Sequence, residues 1–586
     1  MNLRRLSLLL VVAVAGLSGC SVGPTFHSTP PPSTPSITSI SPTNVTAGGP
    51  AYALTVNGSN FNSGTAAVLT VLSNPMTPFS NPPTTFVSAT QLTVQISAAD
   101  IASPGTVQLQ VENSDFFMTA TSNAVSFVVN PGPPGVNQAI SVGVNGATPN
   151  GASSDPVLSK NGRFVAFASQ ATNLLASNTN FGEGYVRDTC LGTNGCSPLT
   201  LLVSAINGGT PANPVEGDAQ GGATPSIGNQ ESSQDLFIGF LSAATNLITP
   251  NTTFQQAYVR DTCLAILSSF ACNPVTVLAS GTQSGGEPNG AASAFTLAAN
   301  SCNAAFVSAG TDLVNGGTIP NEIYLASCSA SSGSPVGSFK TSALVSASSS
   351  GVPGDQGAQQ PAISSDGRFV AFASTSTNLT STPNGGFQHI YLRDTCLLAG
   401  SGCSPSTVLV SADNAGNALA GNSQLPAISD DGRFVVFTTQ TSAAGGGLTS
   451  DVFVRDTCSS SSGPVMNCTP STTTMSVAAT GGPANGPSSS TGHAISGDGR
   501  FVVFSSSATN LIAGGNASAQ VFVRDTCSSA TGSVPGCVQR TVLVSVNNIG
   551  PTGGFDAAIS EDGHFVAFVN ETIGPVRQVL FAATGF

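Results

Sequence analysis

Tryptophan is absent from the 586 residues, and only 7% of them are charged. Lysine occurs only as Lys160 and Lys340, and the net charge is −13. That balance excludes the basic patches that nucleic acids and anionic membrane surfaces select, so no nucleic-acid partner is expected. Histidine is almost as scarce: His27, His389, His493 and His564 sit beside no nucleophile in a catalytic pattern. No tight Cys-x-x-Cys pair and no His at ligand spacing occurs, which removes a zinc site. No glycine fingerprint for a phosphate or dinucleotide occurs either. The sequence therefore implies no metal and no cofactor, and whether the chain is an enzyme is left open, with a non-enzyme favoured. What is plentiful is turn-forming residues, with 65 Gly and 38 Pro. Between them Val, Leu, Ile and Phe recur in short alternating runs, the signature of a turn-rich all-β protein.

One pattern, S-x-D-G-R-F-V-x-F, returns along the chain. It is clear at Ser364–Phe372, Ser429–Phe437 and Ser496–Phe504, with variants at Ser159–Phe167 and Ser560–Phe568. Repeats of this length mean that one supersecondary unit is stacked on its own copies. Aligned on the apolar start of each unit, the copies begin at Pro156, Pro225, Phe295, Pro361, Pro426, His493 and Ala557, 64–70 residues apart. Copy 4 parses into four strands at Pro361–Ser364, Arg368–Ser374, His389–Asp394 and Thr407–Ser411. The Asp-Gly between the first two is a two-residue hairpin signal. Four-stranded sheets repeated in this way make a β-propeller. The motif resembles the TolB-type, WD-like propeller repeats of bacterial envelope proteins, over most of residues 138–586. That family usually has six blades; seven are counted here. The last copy lacks a fourth strand, and residues 139–144 (Ala-Ile-Ser-Val-Gly-Val) resemble one. They are expected to pair with the last blade and close the ring, removing exposed sheet edges.

Ahead of the repeats, residues 36–130 alternate as an antiparallel sandwich. Ser41-Pro42, Gly49 and Leu54–Phe61 resemble the opening of an IPT/TIG domain, an immunoglobulin-like module. The fold class expected is all-β: this sandwich, a Pro/Gly hinge at 131–137, and a seven-bladed propeller at 138–586. At the N-terminus, Arg4 and Arg5 precede the apolar Leu6–Leu17 and then Leu17-Ser18-Gly19-Cys20. This resembles a bacterial lipobox. The resemblance implies a signal peptide over residues 1–19, acyl chains on Cys20, and a Pro/Ser/Thr-rich tether over residues 20–35. Because Ser21 is not Asp, it also implies the outer membrane of the cell envelope.

The other 12 cysteines form an even set, as an oxidising compartment favours. Five close pairs are expected: Cys190/Cys196, Cys263/Cys272, Cys396/Cys403, Cys458/Cys468 and Cys527/Cys537. In each, the first Cys ends an R-D-T-C run. In a hairpin the start of the second strand lies beside the end of the third. Arg163/Asp188, Arg368/Asp394, Arg433/Asp456 and Arg500/Asp525 should therefore be cross-strand staples, modest in energy where exposed, rather than catalytic groups. Copy 3 has neither D-G-R nor R-D-T but carries Cys302 and Cys328 in those places, so a disulfide is expected instead. Copy 2 carries Asp261 without a D-G-R. A recurring Thr-Asn-Leu (Asn173, Asn246, Asn378, Asn510, with Asp312 in copy 3) should cap the loop between the second and third strands. Binding is expected on those longer, variable loops. The leading expectation is a lipid-anchored recognition or scaffold protein that meets a protein or polysaccharide partner. The alternative is a polysaccharide- or peptide-active enzyme that uses loop carboxylates at the propeller channel.

Overall fold

A computed structural model describes residues 32–586 except 47–50, 72–80, 98–99, 102–104, 115–118, 131–134, 177–181, 192–196, 208–220, 231–234, 265–273, 315–318, 329–338, 401, 443–447, 517–518, 548–549 and 572–575. The fold is all-β; among the described residues the one helical element is a short 3-10 turn at Val144–Gly146. Two sheets form the N-terminal unit. One orders Ser36–Ser41, Tyr52–Ser59, Gln91–Ile96 and Thr84–Ser88; the other orders Asn44–Thr46, Val125–Asn130, Gly105–Ser114 and Ala66–Val71. Every second side chain is buried between them, including Leu54 and Val56, Leu92 and Val94, and Leu109 and Val111. This is the period-2 pattern of a sheet with one wet face.

Among the described residues the remaining chain builds seven four-stranded antiparallel sheets and three short two-stranded ones. In the fourth of the seven the strands run Ala358–Ile363, Phe369–Ser374, His389–Asp394 and Ser406–Leu409. The second strand, Phe-Val-Ala-Phe-Ala-Ser, is buried at every residue, because each face is covered by a neighbouring sheet. Apolar clusters join each sheet to its successor. One of them joins the seventh to the first, with Phe565, Val579 and Phe581 packed among Val165, Phe167 and Tyr185. A ring pair across the middle strands recurs as Phe167/Tyr185, Phe240/Tyr258, Phe306/Tyr324 and Phe372/Tyr391, with centroids 5.7–5.9 Å apart. Such pairs add about 0.5–1.5 kcal/mol beyond burial.

The repeated motif resolves residue by residue. Ser364 Oγ accepts the Phe369 N–H and donates to Asp366, whose Oδ1 also accepts the Arg368 N–H. Gly367 closes the turn by donating to Ser364 O, with φ +82°. The connection therefore holds four residues between Ser364 and Phe369, not the two that the Asp-Gly pair implies. The Ser and Asp side chains hold it in place of strand pairing.

The seventh sheet takes its fourth strand from before the first copy, but at Gly135–Ala139 rather than 139–144. Ile140-Ser141-Val142 corresponds to Val410-Ser411-Ala412, which follows the fourth strand of its own sheet. Ile140 N–H donates to Val579 O, as Val410 donates to Ile390 O. The paired residues thus precede this triplet and take up the last part of the expected hinge at 131–137.

Candidate functional site

The innermost strands of the seven sheets enclose an axial cavity of about 470 Å³. Its mouth is at the start of these strands, on the side of the variable loops, where Thr224 and Gly492 are exposed. One residue per sheet rings the mouth: Asp155, Thr224, Ala294, Gln360, Leu425, Gly492 and Asp556. Five of these sit at left-handed φ, from +47° to +56°. The strand bulges there, which aims the side chain at the axis. Below them the wall is mainly apolar, with Pro156, Pro225, Phe295, Pro361 and Pro426. Seven aliphatic residues, from Leu158 and Ile227 round to Ile495 and Ile559, then narrow the axis to a space of about 80 Å³.

The sixth sheet breaks the repeat. From Ser423 to Ser429 the fifth sheet's inner strand takes six steps; the equivalent run from Ser488 to Ser496 takes eight. The strand stops at Ser489, and Thr491-Gly492-His493 enters the cavity wall. Thr491 Oγ1 donates to Ala557 O, and His493 O accepts the Ile559 N–H. The His493 imidazole faces the cavity, and desolvation holds its pKa down at about 4.

Next to it lie the two charged side chains of the mouth. Asp556 Oδ2 accepts the Asp155 N–H at 2.9 Å, and Ser154 Oγ donates to Asp155 Oδ2. Burial, then the neighbouring charge of Asp155, push the Asp556 carboxyl up to about 6. Gln360 makes the same link, accepting the Leu425 N–H. Asp556 thus serves both as a tie between adjacent inner strands and as an acid held near neutrality.

The other face carries the staples. Arg368 donates through Nε and Nη2 to both oxygens of Asp394, at 2.8 and 2.7 Å. Arg163/Asp188, Arg433/Asp456 and Arg500/Asp525 repeat this fork. Each guanidinium also lies 4.7–4.9 Å over the ring of the following Phe. Arg368 and Arg433 reach further, donating to Ser461 O and Ala530 O in the next sheet's disulfide loop. Cys396–Cys403, Cys458–Cys468, Cys527–Cys537 and Cys302–Cys328 are disulfides. Cys190 and Cys263 are disulfide-bonded as well; their expected partners Cys196 and Cys272, like Cys20, lie outside the described residues. The Asp-Cys-Cys groups are the only sets compact enough for a metal among the described residues, and their sulfurs are bonded to each other.

Three features go beyond the expectations or correct them. The first concerns the staple carboxylates. The four expected pairs form, and within them Asp188 and Asp525 are buried. In register Asp188 stands opposite Phe164 rather than Arg163, because the second strand begins at Phe164 and Arg163 belongs to the turn before it. Asp394, Asp456 and Asp525 likewise face Phe369, Phe434 and Phe501. Asp188 also does a second job that the strand argument missed. Its Oδ1 accepts the Cys190 N–H and so holds the start of the disulfide loop, where Cys190 has φ +61°.

The second correction is that Asn173, Asn378, Asn510 and Asp312 bond outside their own loop. Asn378 Oδ1 accepts the Asp355 N–H and its Nδ2 donates to Pro353 O, while Asp355 Oδ1 accepts the Thr377 N–H. The same clamp joins Asn150 to Asn173, Asn289 to Asp312 and Asn485 to Asn510. It ties one loop of the binding side to the preceding one. The third is a buried serine after every fourth strand: Ser141, Ser204, Ser280, Ser346, Ser411, Ser476 and Ser545. In six sheets the Oγ accepts the N–H of the second residue of the third strand; in the fifth, Ser476 accepts that of Val452, further along Leu448–Asp456. The hydroxyl also meets the residue before, which varies: Glu183, Gln256, Glu322, His389, Asp451 or Gln520. The signal was present as the recurring Val-Ser of Val203-Ser204, Val345-Ser346 and Val410-Ser411.

No curated protein matches the sequence. Among solved structures the chain is similar to an α-L-arabinofuranosidase from Lactobacillus brevis, at 11% identity over 69% of this chain and 94% of that one, with a TM-score of 0.23. It is also similar to a mutant of Trypanosoma rangeli sialidase displaying trans-sialidase activity, at 11% identity over 77% of this chain and 57% of that one, with a TM-score of 0.28. Both superpositions are too loose to pass an activity from those enzymes to this chain. Residues 35–122, by contrast, match the family model of the IPT/TIG domain and form one.

Proposed function

We propose that the chain is a recognition protein of the bacterial cell envelope, held to the membrane by acyl chains on Cys20. Its seven sheets form a propeller closed by Gly135–Ala139, and the loop side with its axial cavity receives part of a protein or polymer partner. The observation that carries the binding role is the cavity. It is concave and mainly apolar, with a few converging polar groups, which is the usual form of a ligand site. The repeat also departs from itself there, at the two-residue insertion of the sixth sheet. The four tyrosines that could offer sugar platforms, Tyr185, Tyr258, Tyr324 and Tyr391, are instead fully buried.

In-cell photo-crosslinking tests this. A crosslinker at Gly492, on the cavity mouth, should capture a discrete partner. One at Met466, 87% exposed on the opposite face, should not. Equal capture at both sites, or none at Gly492, contradicts the reading. Labelling with palmitate should mark the full chain and spare Cys20→Ala.

A second reading has one observation in its favour: the adjacent carboxylates Asp155 and Asp556, the latter at about 6, are the kind of pair a polysaccharide- or peptide-active hydrolase employs. It ranks lower because Asp556 Oδ2 is engaged by the Asp155 amide, a tie that Gln360 supplies elsewhere without a charge. Turnover of an envelope polymer that is abolished by Asp556→Asn would reverse the ranking.

A further inference from the structure

We propose that the axial cavity is selective for an organic cation, a ligand that presents an ammonium group to Asp155 and Asp556 and lays an apolar body against the proline wall. The inference rests on the reading of the cavity as the recognition site, and adds the chemical class of what enters it.

Three observations converge. The two charged side chains on the mouth are both carboxylates, and no Lys or Arg lines the cavity among the described residues. The carboxylates lie on adjacent inner strands, the last and the first, so their charge falls on one side of an otherwise uncharged mouth. On that same side the sixth sheet's insertion brings in His493. Its ring faces the cavity, is neutral at physiological pH, and has no side-chain hydrogen-bond partner among the described residues. The ring is half-buried in the cavity wall, so its nitrogens are open to a ligand that enters there.

The chemistry favours an ammonium over a metal ion. Asp155, Asp556 and His493 are not among the sets whose ligand atoms fall within 4.8 Å of one another, so they do not present a common coordination sphere. Spread donors round an apolar cup suit a cation whose charge is carried on carbon. The cavity of about 470 Å³ accommodates one ring or one extended side chain, within the usual range for such sites.

Calorimetric titration of the full chain with three matched probes tests the proposal: phenethylamine, 2-phenylethanol and phenylacetate. The amine should bind at least tenfold more tightly than the alcohol, and the acid should not bind. Asp556→Asn keeps an acceptor for the Asp155 N–H and should fold, with its melting point as the check. It should cut amine affinity about tenfold and leave the alcohol unchanged, and Asp155→Asn should do the same. Leu425→Trp, which fills the mouth, should abolish all binding. If the alcohol or the acid binds as well as the amine and Leu425→Trp removes that binding, the cavity is a recognition site but the cation assignment is wrong. If none of the probes binds, or Leu425→Trp leaves their binding intact, both the assignment and the cavity reading fail.

Discussion

Phe565 of the seventh sheet lies directly beneath Gly162 of the first: a Cβ on Gly162 would stand 2.8 Å from the Phe565 ring. The same contact sets Phe369 under Gly432, Phe434 under Gly499 and Phe501 under Gly563. Gly and Phe, separated by one residue in D-G-R-F, thus interlock successive sheets. The last-to-first contact is chemically the same as the others. Where copy 3 lacks the motif, Asn303 takes the ring's place under Gly367.

This interlock makes the turn glycine doubly constrained. Gly499 has φ +80°, and its Cβ would fall 2.2 Å from Phe434 Cδ2. Gly481 has φ +86° but open space, and Gly482 has open space alone. Urea denaturation should rank the three alanine variants. Gly482→Ala should be within about 0.5 kcal/mol of wild type, Gly481→Ala should cost about 1 kcal/mol, and Gly499→Ala roughly 3–5 kcal/mol. Equal effects at Gly481 and Gly499 would remove the packing role.

The staples should matter more than ordinary surface ion pairs. Arg433 and Asp456 are 9% and 18% exposed, against 55% and 51% for Arg577 and Glu571. Asp456→Asn should destabilise by about 2–3 kcal/mol, since it leaves a half-desolvated guanidinium poorly matched, whereas Glu571→Gln should cost under about 0.5 kcal/mol. Chemical denaturation of both variants at low and high salt checks this, with little salt dependence expected for the first.

Glu322 gives a pH signature. It is fully buried against Ser346, and desolvation raises its pKa from 4.5 to about 7. Between those values the native state holds a proton that the unfolded chain has released, so the contribution of Glu322 to stability falls as pH rises from 4.5 to about 7 and is level above. Glu322→Gln, the residue type that sheets two and six use as Gln256 and Gln520, should remove that fall. At pH 8 the variant should be more stable by roughly 1–3 kcal/mol, and near pH 4.5 the two should coincide. A variant less stable at pH 8 would contradict the burial argument.

The disulfide that replaces the staple should exceed the local ones in effect. Cys302–Cys328 closes a separation of 26 residues and Cys396–Cys403 one of 7. On loop-closure entropy, double serine variants should lose about 3.5 and about 2.4 kcal/mol respectively. Thermal melts of the two variants under identical oxidising conditions supply the comparison.

The sequence carried the repeat, the Arg–Asp fork and the Cys302–Cys328 exchange, because each is a fixed residue type at a fixed place. The burial of Asp188 was not legible, since strand alternation says which face a side chain takes and not how deeply it is covered at a strand end. The ring of mouth residues was not legible either. Its positions are held by backbone bulges, so Asp, Thr, Gln and Leu all serve, and no shared letter marks them. The fourth strand of the seventh sheet was misplaced because Ile140-Ser141-Val142 alternates like a strand. Its Ser141 hydroxyl in fact receives the Val579 N–H just beyond the paired segment. The insertion of the sixth sheet was visible only as His493 in place of a proline, which alone pointed to no chemistry.

Everything proposed for the cavity depends on the seventh sheet closing against Gly135–Ala139. Native-state hydrogen exchange on the intact chain, read by mass spectrometry, tests this most directly. The account predicts that peptides covering 135–141 exchange as slowly as those covering 578–583, with Ile140 protected by Val579 O. Exchange of 135–141 at the rate of an open chain, while 578–583 stays protected, would contradict it.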